Sequence, residues 1–212
     1  MADDYRVTEY CQPIEDLKNK KANVEALVKK DYPEAIDMHT YISRNEGPYK
    51  VEFIKAYSGK CAYCGASIRF IPKTLFQIDH FIYQKDPRFH NRKANAGHID
   101  NLVLACNICN SAKKDFAIPD EVHNDLHPDL PGITKTFIRD DDFYIRVSPE
   151  KKGDTIANKF YEQVKLGEQV HRLDYLLLSM YGLREKIGDT SPAYGQLSRA
   201  IDLIHQKRNL LG

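Results

Sequence analysis

Two Cys-x-x-Cys pairs, Cys61 with Cys64 and Cys106 with Cys109, constrain this chain more than any other feature, because 41 residues separate them and one ion can join them only by closing that loop. Paired knuckles of this kind supply a tetrahedral zinc site with Zn–S bonds of about 2.3 Å. Such an ion can contribute on the order of 10 kcal/mol to folding. The competing readings are four free thiols in a reducing interior, or a redox pair. An odd total of five cysteines, with Cys11 left over as an inert thiol, favours metal ligation over a disulfide framework. A zinc held by four thiolates has no open coordination position, so it is expected to be scaffolding, and any chemistry must lie in what it holds.

The closed loop contains "QIDHF", which sets Asp79 beside His80 near the end of an apolar strand, and "HIDNLVLAC", which opens the next strand at Asn101. A carboxylate is a hard ligand suited to Mg²⁺ or Mn²⁺, and a neutral imidazole with a pKa near 6.5 can take a proton from water at neutral pH. Asp79 and His80 therefore read as metal ligand and general base. Neighbours in a regular strand point to opposite faces, so the two share a pocket only if the strand ends, twists or bulges there. In "CNICNSAKK" a helix beginning near Asn107 carries Asn110 in its first turn, with Lys113 and Lys114 three and four positions on. Asn110 can offer an amide oxygen to the same hard ion, and the two lysines can meet a phosphate.

With 31 basic and 30 acidic side chains, the 212-residue chain has a net charge of +1, which excludes a polycation that coats nucleic acid indiscriminately. Attraction to phosphate must be local. Arg69, Lys73, Lys85, Arg88, Arg92 and Lys93 outnumber the acids Asp79 and Asp86 in one stretch, and Arg88, Arg92 and Lys93 are candidate backbone contacts, a solvated loop being the alternative. His90 and His98 are either phosphate contacts or ordinary loop histidines. No apolar run approaches the roughly 20 residues that cross a bilayer, and "MADDYRVTEYCQP" lacks the zones of a secretory signal, so a cytoplasmic protein with no membrane partner is expected.

Periodicity divides the chain into a helical lead-in over residues 1–57, a chemical centre over 58–118, and a region over 119–212 made of a loop, a hairpin pairing "KTFI" with "FYIRV", and helices. Gly167 is expected to split the helical tail, and Ser191 and Pro192 to start a last helix whose buried stripe is Leu197, Ala200, Ile201 and Ile204. The apolar "HRLDYLLLSMYGL" serves either as core or as a surface for a partner.

The order C-x-x-C-G, D-H, D-N-L-V-L-A-C, C-N resembles the HNH endonuclease family in its four-cysteine form, over residues 58–116. The family's first His falls on His80, its Asn on Asn101, and its last position on Asn110, where many members have histidine. The resemblance implies an α+β fold with a ββα-metal core, a structural Zn²⁺ and flanking helices. It further implies hydrolysis of phosphodiester bonds, with DNA the expected substrate, His80, Asn101 and Asp79 catalytic, and a Mg²⁺ or Mn²⁺ ion on Asp79 and Asn110. Asn101 resembles the residue that ties the strands and orients the His80 loop. Small HNH proteins with helical flanks resemble effector subunits of bacterial anti-phage systems working beside an ATPase, which makes an ATPase subunit on the C-terminal helices an expected partner. Two alternatives stand: a zinc-stabilised binding module that does not cleave, and a nuclease subunit active only with its partner.

Overall fold

The run Leu-Val-Leu-Ala-Cys over 102–106 is buried at every position, and a strand covered on both faces demands a layer on each side. The computed structural model, which describes residues 4–11, 13–44, 47–90 and 96–211, provides both layers. Strand β1 (Phe76–His80) pairs antiparallel with β2 (Leu102–Cys106), in a register from Phe76 opposite Cys106 to His80 opposite Leu102. The chain leaves β2 directly into helix α4 (Asn107–Lys113), which packs on both strands and completes a ββα unit.

The other layer comes from the N-terminal helices α1 (Leu17–Asp31), α2 (Met38–Ile42) and α3 (Pro48–Ala56). Helix α1 is largely charged, and its covered stripe of Lys21, Val24 and Val28 follows helical spacing. Lys21 is the informative member: its ammonium meets Asp129 at 2.6 Å and the Leu102 carbonyl at 2.9 Å, while the Tyr57 hydroxyl donates to Asp129 at 2.8 Å. This buried pair is fully hydrogen-bonded, which is the condition under which burial of charge is tolerated. It fastens α1 and the end of α3 to the start of β2.

After the ββα unit come the short helices α5 (His123–Leu126) and α6 (Ile133–Thr136), then an antiparallel hairpin of β3 (Phe137–Arg139) and β4 (Ile145–Val147), as the alternating sequence predicts. Helices α7 (Thr155–Gln163) and α8 (Gln169–Ile187) are separate, with the break around Gly167, where a side chain would collide with the Tyr161 ring. Most of the apolar side of α8 is core, including Val170, Leu173, Leu177 and Leu178. Helix α9 (Tyr194–Asn209) departs from expectation: Ala193 rather than Ser191 is its N-cap residue, and of the four stripe residues only Ile201 is fully buried. It packs chiefly on α8, so one neighbour cannot cover the whole stripe. Among the described residues no helix is long and apolar enough to cross a membrane.

Candidate metal centre and HNH site

The four thiols are all buried, unpaired by disulfides, and lie within 4.8 Å of one another. Four sulfurs each about 2.3 Å from a common centre stand about 3.8 Å apart along a tetrahedral edge, and Cys64 and Cys106 are separated by 3.8 Å. The set fits zinc in type, number and spacing. Backbone geometry makes the first knuckle: the Gly65 amide returns to the Cys61 carbonyl at 2.9 Å, and Gly65 has φ of +80° with the Arg6 carbonyl where a Cβ would stand. A glycine after the second cysteine is therefore required by both conformation and space.

Groups from distant parts of the chain surround this cluster. His171, fully buried on α8, brings Nε2 to 3.9 Å from the Cys109 sulfur. Arg139 on β3 donates to the carbonyls of Tyr5 (2.8 Å), Phe143 (2.6 Å) and Cys64 (3.4 Å), and its guanidinium lies 4.0 Å from the Tyr175 ring centroid. Burial lowers the Arg139 pKa to about 10. It has no carboxylate partner among the described residues, and a zinc ion held by the four thiolates would form a group of formal charge −2 nearby. Nothing in the sequence singles out His171, which lies 62 positions from Cys109 with no local pattern linking the two.

Along β1 the register is regular through His80, so side chains alternate and no bulge turns Asp79 and His80 toward one another. Asp79 faces α4. Its carboxylate accepts from the Tyr63 hydroxyl at 2.6 Å and lies 3.1 Å from the Lys113 ammonium, which also donates to the His80 carbonyl at 2.8 Å. Burial pushes the Asp79 carboxyl above its ordinary pKa, against the opposing charge of Lys113. Lys113 is completely buried, so it presents no charge to a phosphate at the surface. Lys114 ends the helix with φ of +49° and is exposed.

Asn110 sits on the same face. Its amide Nδ2 donates to Gln77 Oε1, which leaves Oδ1 without a partner among the described residues. His80 points the other way, where its ring lies against that of His39 of α2, with centroids 4.2 Å apart and the planes tilted by 34°. His39 fixes its own orientation by donating from Nε2 to the Ile78 carbonyl at 3.1 Å. Burial, followed by the neighbouring His39, lowers the His80 pKa to about 4, and neither His80 ring nitrogen has a hydrogen-bond partner among the described residues. Nothing in the local sequence signals His39, which comes from a helix far upstream.

Asn101 makes three hydrogen bonds to main chain: Oδ1 accepts from the Ile82 amide at 2.8 Å, and Nδ2 donates to the carbonyls of Ile82 (2.9 Å) and Ala96 (2.8 Å). It staples the segment leaving His80 to the one entering β2. Arg88 is bound to Asp86, Asp120 and the Ile118 carbonyl, which removes it from the expected basic surface. Arg92 and Lys93 lie outside the described residues. The His98 ring accepts from the Asp100 amide as a cap, and His90 is exposed.

Comparison with protein families finds the HNH endonuclease family over residues 61–116. No curated protein and no solved structure matches the chain. The matched span begins at Cys61, ends at Phe116, and contains both knuckles, β1, β2 and α4. This chain therefore carries an HNH endonuclease domain, with a four-cysteine cluster consistent with a structural zinc site.

Proposed function

We propose that the chain is a metal-dependent endonuclease that hydrolyses phosphodiester bonds in DNA, with His80 as general base. The observation that carries the reading is the imidazole of His80 at the end of β1, whose ring nitrogens have no hydrogen-bond partner among the described residues, within a span that matches the HNH family. A ring nitrogen of His80 takes a proton from water, the water oxygen bonds to phosphorus, and the bond to the leaving oxygen breaks. Positioned bases of this kind supply roughly 10² to 10⁴ in rate. Asn101 keeps the chain beyond His80 in place while this occurs.

Asp79 and the open Oδ1 of Asn110 are hard oxygen donors on one face of the ββα unit, and they are the residues that would hold Mg²⁺ or Mn²⁺. A divalent ion held there would neutralise charge developing on a phosphate, and it would serve the same phosphate as His80 only after the end of β1 turns, because the regular pairing sets Asp79 and His80 on opposite faces. Lys113 must first release Asp79. Plasmid nicking with Mg²⁺ or Mn²⁺ tests the reading: the native chain is expected to nick and His80→Ala to lose at least about a hundredfold in rate, whereas equal activity in both ends it.

The Lys113–Asp79 pair favours a second reading, because it gives the carboxylate an internal cation. A binding module without cleavage would bind nucleic acid, cut under no divalent ion, and be indifferent in binding to Asp79→Asn. A nuclease subunit that needs an ATPase or other partner would instead be silent alone and cut when the partner is added.

A further inference from the structure

Part of the positive charge expected at the HNH site is consumed inside the fold, since Lys113 is buried and Arg88 is neutralised, while Lys114 is exposed. It reappears elsewhere. A cavity of about 690 Å³ lies between α1, the end of α3, the first zinc knuckle and α8, and its walls include Lys20, Lys55, Lys60, Arg69 and Lys73 against a single lining carboxylate, Glu185. Glu185 is taken by Arg69 at 2.9 Å, and Lys55 is paired with Glu52 at 2.6 Å. Lys60 is buried and engaged within the fold, so it adds no free charge to the cleft. Lys20 and Lys73 have no ion pair among the described residues.

We propose that this cleft is a second nucleic-acid contact of the protein, a site for backbone phosphates apart from His80. With Lys60 set aside, two acids against the four remaining cations leave an excess of two positive charges among the described residues of one concavity, and low-dielectric walls focus such a field. Lysines on flexible stems suit backbone phosphates, which must be met without sequence choice, better than they suit the planar fit of a carboxylate. Lys73 precedes β1 and His80 ends it, so along the chain they are separated by one short helical turn and the strand, about 20 Å by the rise of those elements. That spans roughly six nucleotide steps of duplex at about 3.4 Å each. The choice of nucleic acid as the polyanion rests on the proposed function.

The test uses the full chain without added Mg²⁺ or Mn²⁺ and measures anisotropy of a labelled DNA duplex across a salt series. The charge reversal Lys20→Glu with Lys73→Glu is expected to weaken binding at least about tenfold and to reduce the slope of log K against log salt by about two, near 0.9 for each phosphate that is no longer neutralised. Lys30→Glu with Lys135→Glu, at exposed positions outside the cleft, controls for net charge, and zinc content with circular dichroism confirms folding in both. Equal affinities and slopes for the two double variants would overturn the proposal. So would equal competition from polyglutamate, or binding of ATP or inorganic phosphate with none of the duplex. If nicking fails while the cleft behaves as expected, the hydrolytic reading falls and this site stands.

Discussion

Replacing Lys113 with methionine isolates the most consequential contact in the molecule. The ammonium is fully buried, lies 3.1 Å from the Asp79 carboxylate, and bonds the His80 carbonyl at 2.8 Å, while Asp79 itself is only 8% exposed. Methionine fills most of the volume but leaves a buried carboxylate with Tyr63 as its sole remaining hydrogen-bond donor among the described residues. Removing one partner of a buried pair costs about 3–5 kcal/mol, far above the 0–1 kcal/mol of a surface pair. For a chain of this size that corresponds to a fall in Tm of roughly 6–20 °C. Urea denaturation of native, Lys113→Met, Asp79→Asn and the double variant closes a thermodynamic cycle. The double variant should regain most of the stability, since neither charge is then stranded. Mn²⁺ should stabilise Lys113→Met more than the native chain, because a divalent ion then meets no internal competitor. A cost for Lys113→Met within about 1 kcal/mol would refute the buried pair as placed here.

Stripping zinc with a strong chelator should unfold the β1–β2–α4 unit, seen as loss of amide protection in both strands, and a chain that keeps that protection has no structural ion. His171→Leu removes the imidazole beside Cys109 and should weaken zinc retention against a chromophoric chelator by roughly tenfold, the usual scale for a group that supports a ligand. Asn101→Ala orphans one amide and two carbonyls and should cost about 2–4 kcal/mol in urea, with a full-strength fold arguing that the staple is absent. His127 is buried as the neutral tautomer, donating from Nε2 to the Asp100 carbonyl and accepting the Asp129 amide on Nδ1, and burial lowers its pKa to about 4. The unfolded chain takes up this proton below about pH 6.5 and the folded chain only below about 4, so the stability is present above 6.5 and lost as pH falls between the two, by up to about 3 kcal/mol. His127→Gln should flatten stability against pH in that window, and an unchanged curve would assign the acid loss to other groups.

What the sequence discloses is what depends on neighbours along the chain. The knuckles, the apolar runs of β1 and β2, the start of α4 at Asn107 and the break near Gly167 all follow from local spacing and conformational preference. The direction of a side chain is less legible. Lys113 sits in a short polar helix and reads as surface, yet its burial depends on Asp79, which lies 34 positions away. Asp79 and His80 read as convergent only if β1 is irregular, and the unbroken pairing to Leu102 keeps them on opposite faces. His39 and His171 reach the two centres from helices that carry no motif, so only the tertiary fold reveals them.

The thiols belong to the matched span, but Arg139 and His171 beside them do not. An excised fragment of residues 61–116 would keep every ligand while exposing a dianionic cluster to solvent on the side those two residues now cover. It would also lose Lys21, Tyr57 and Asp129, the hydrogen-bonded group that meets the Leu102 carbonyl at the start of β2. A minimal nuclease cut at the edges of the family match should therefore take up zinc readily, hold it poorly, and oxidise at its cysteines sooner than the intact chain.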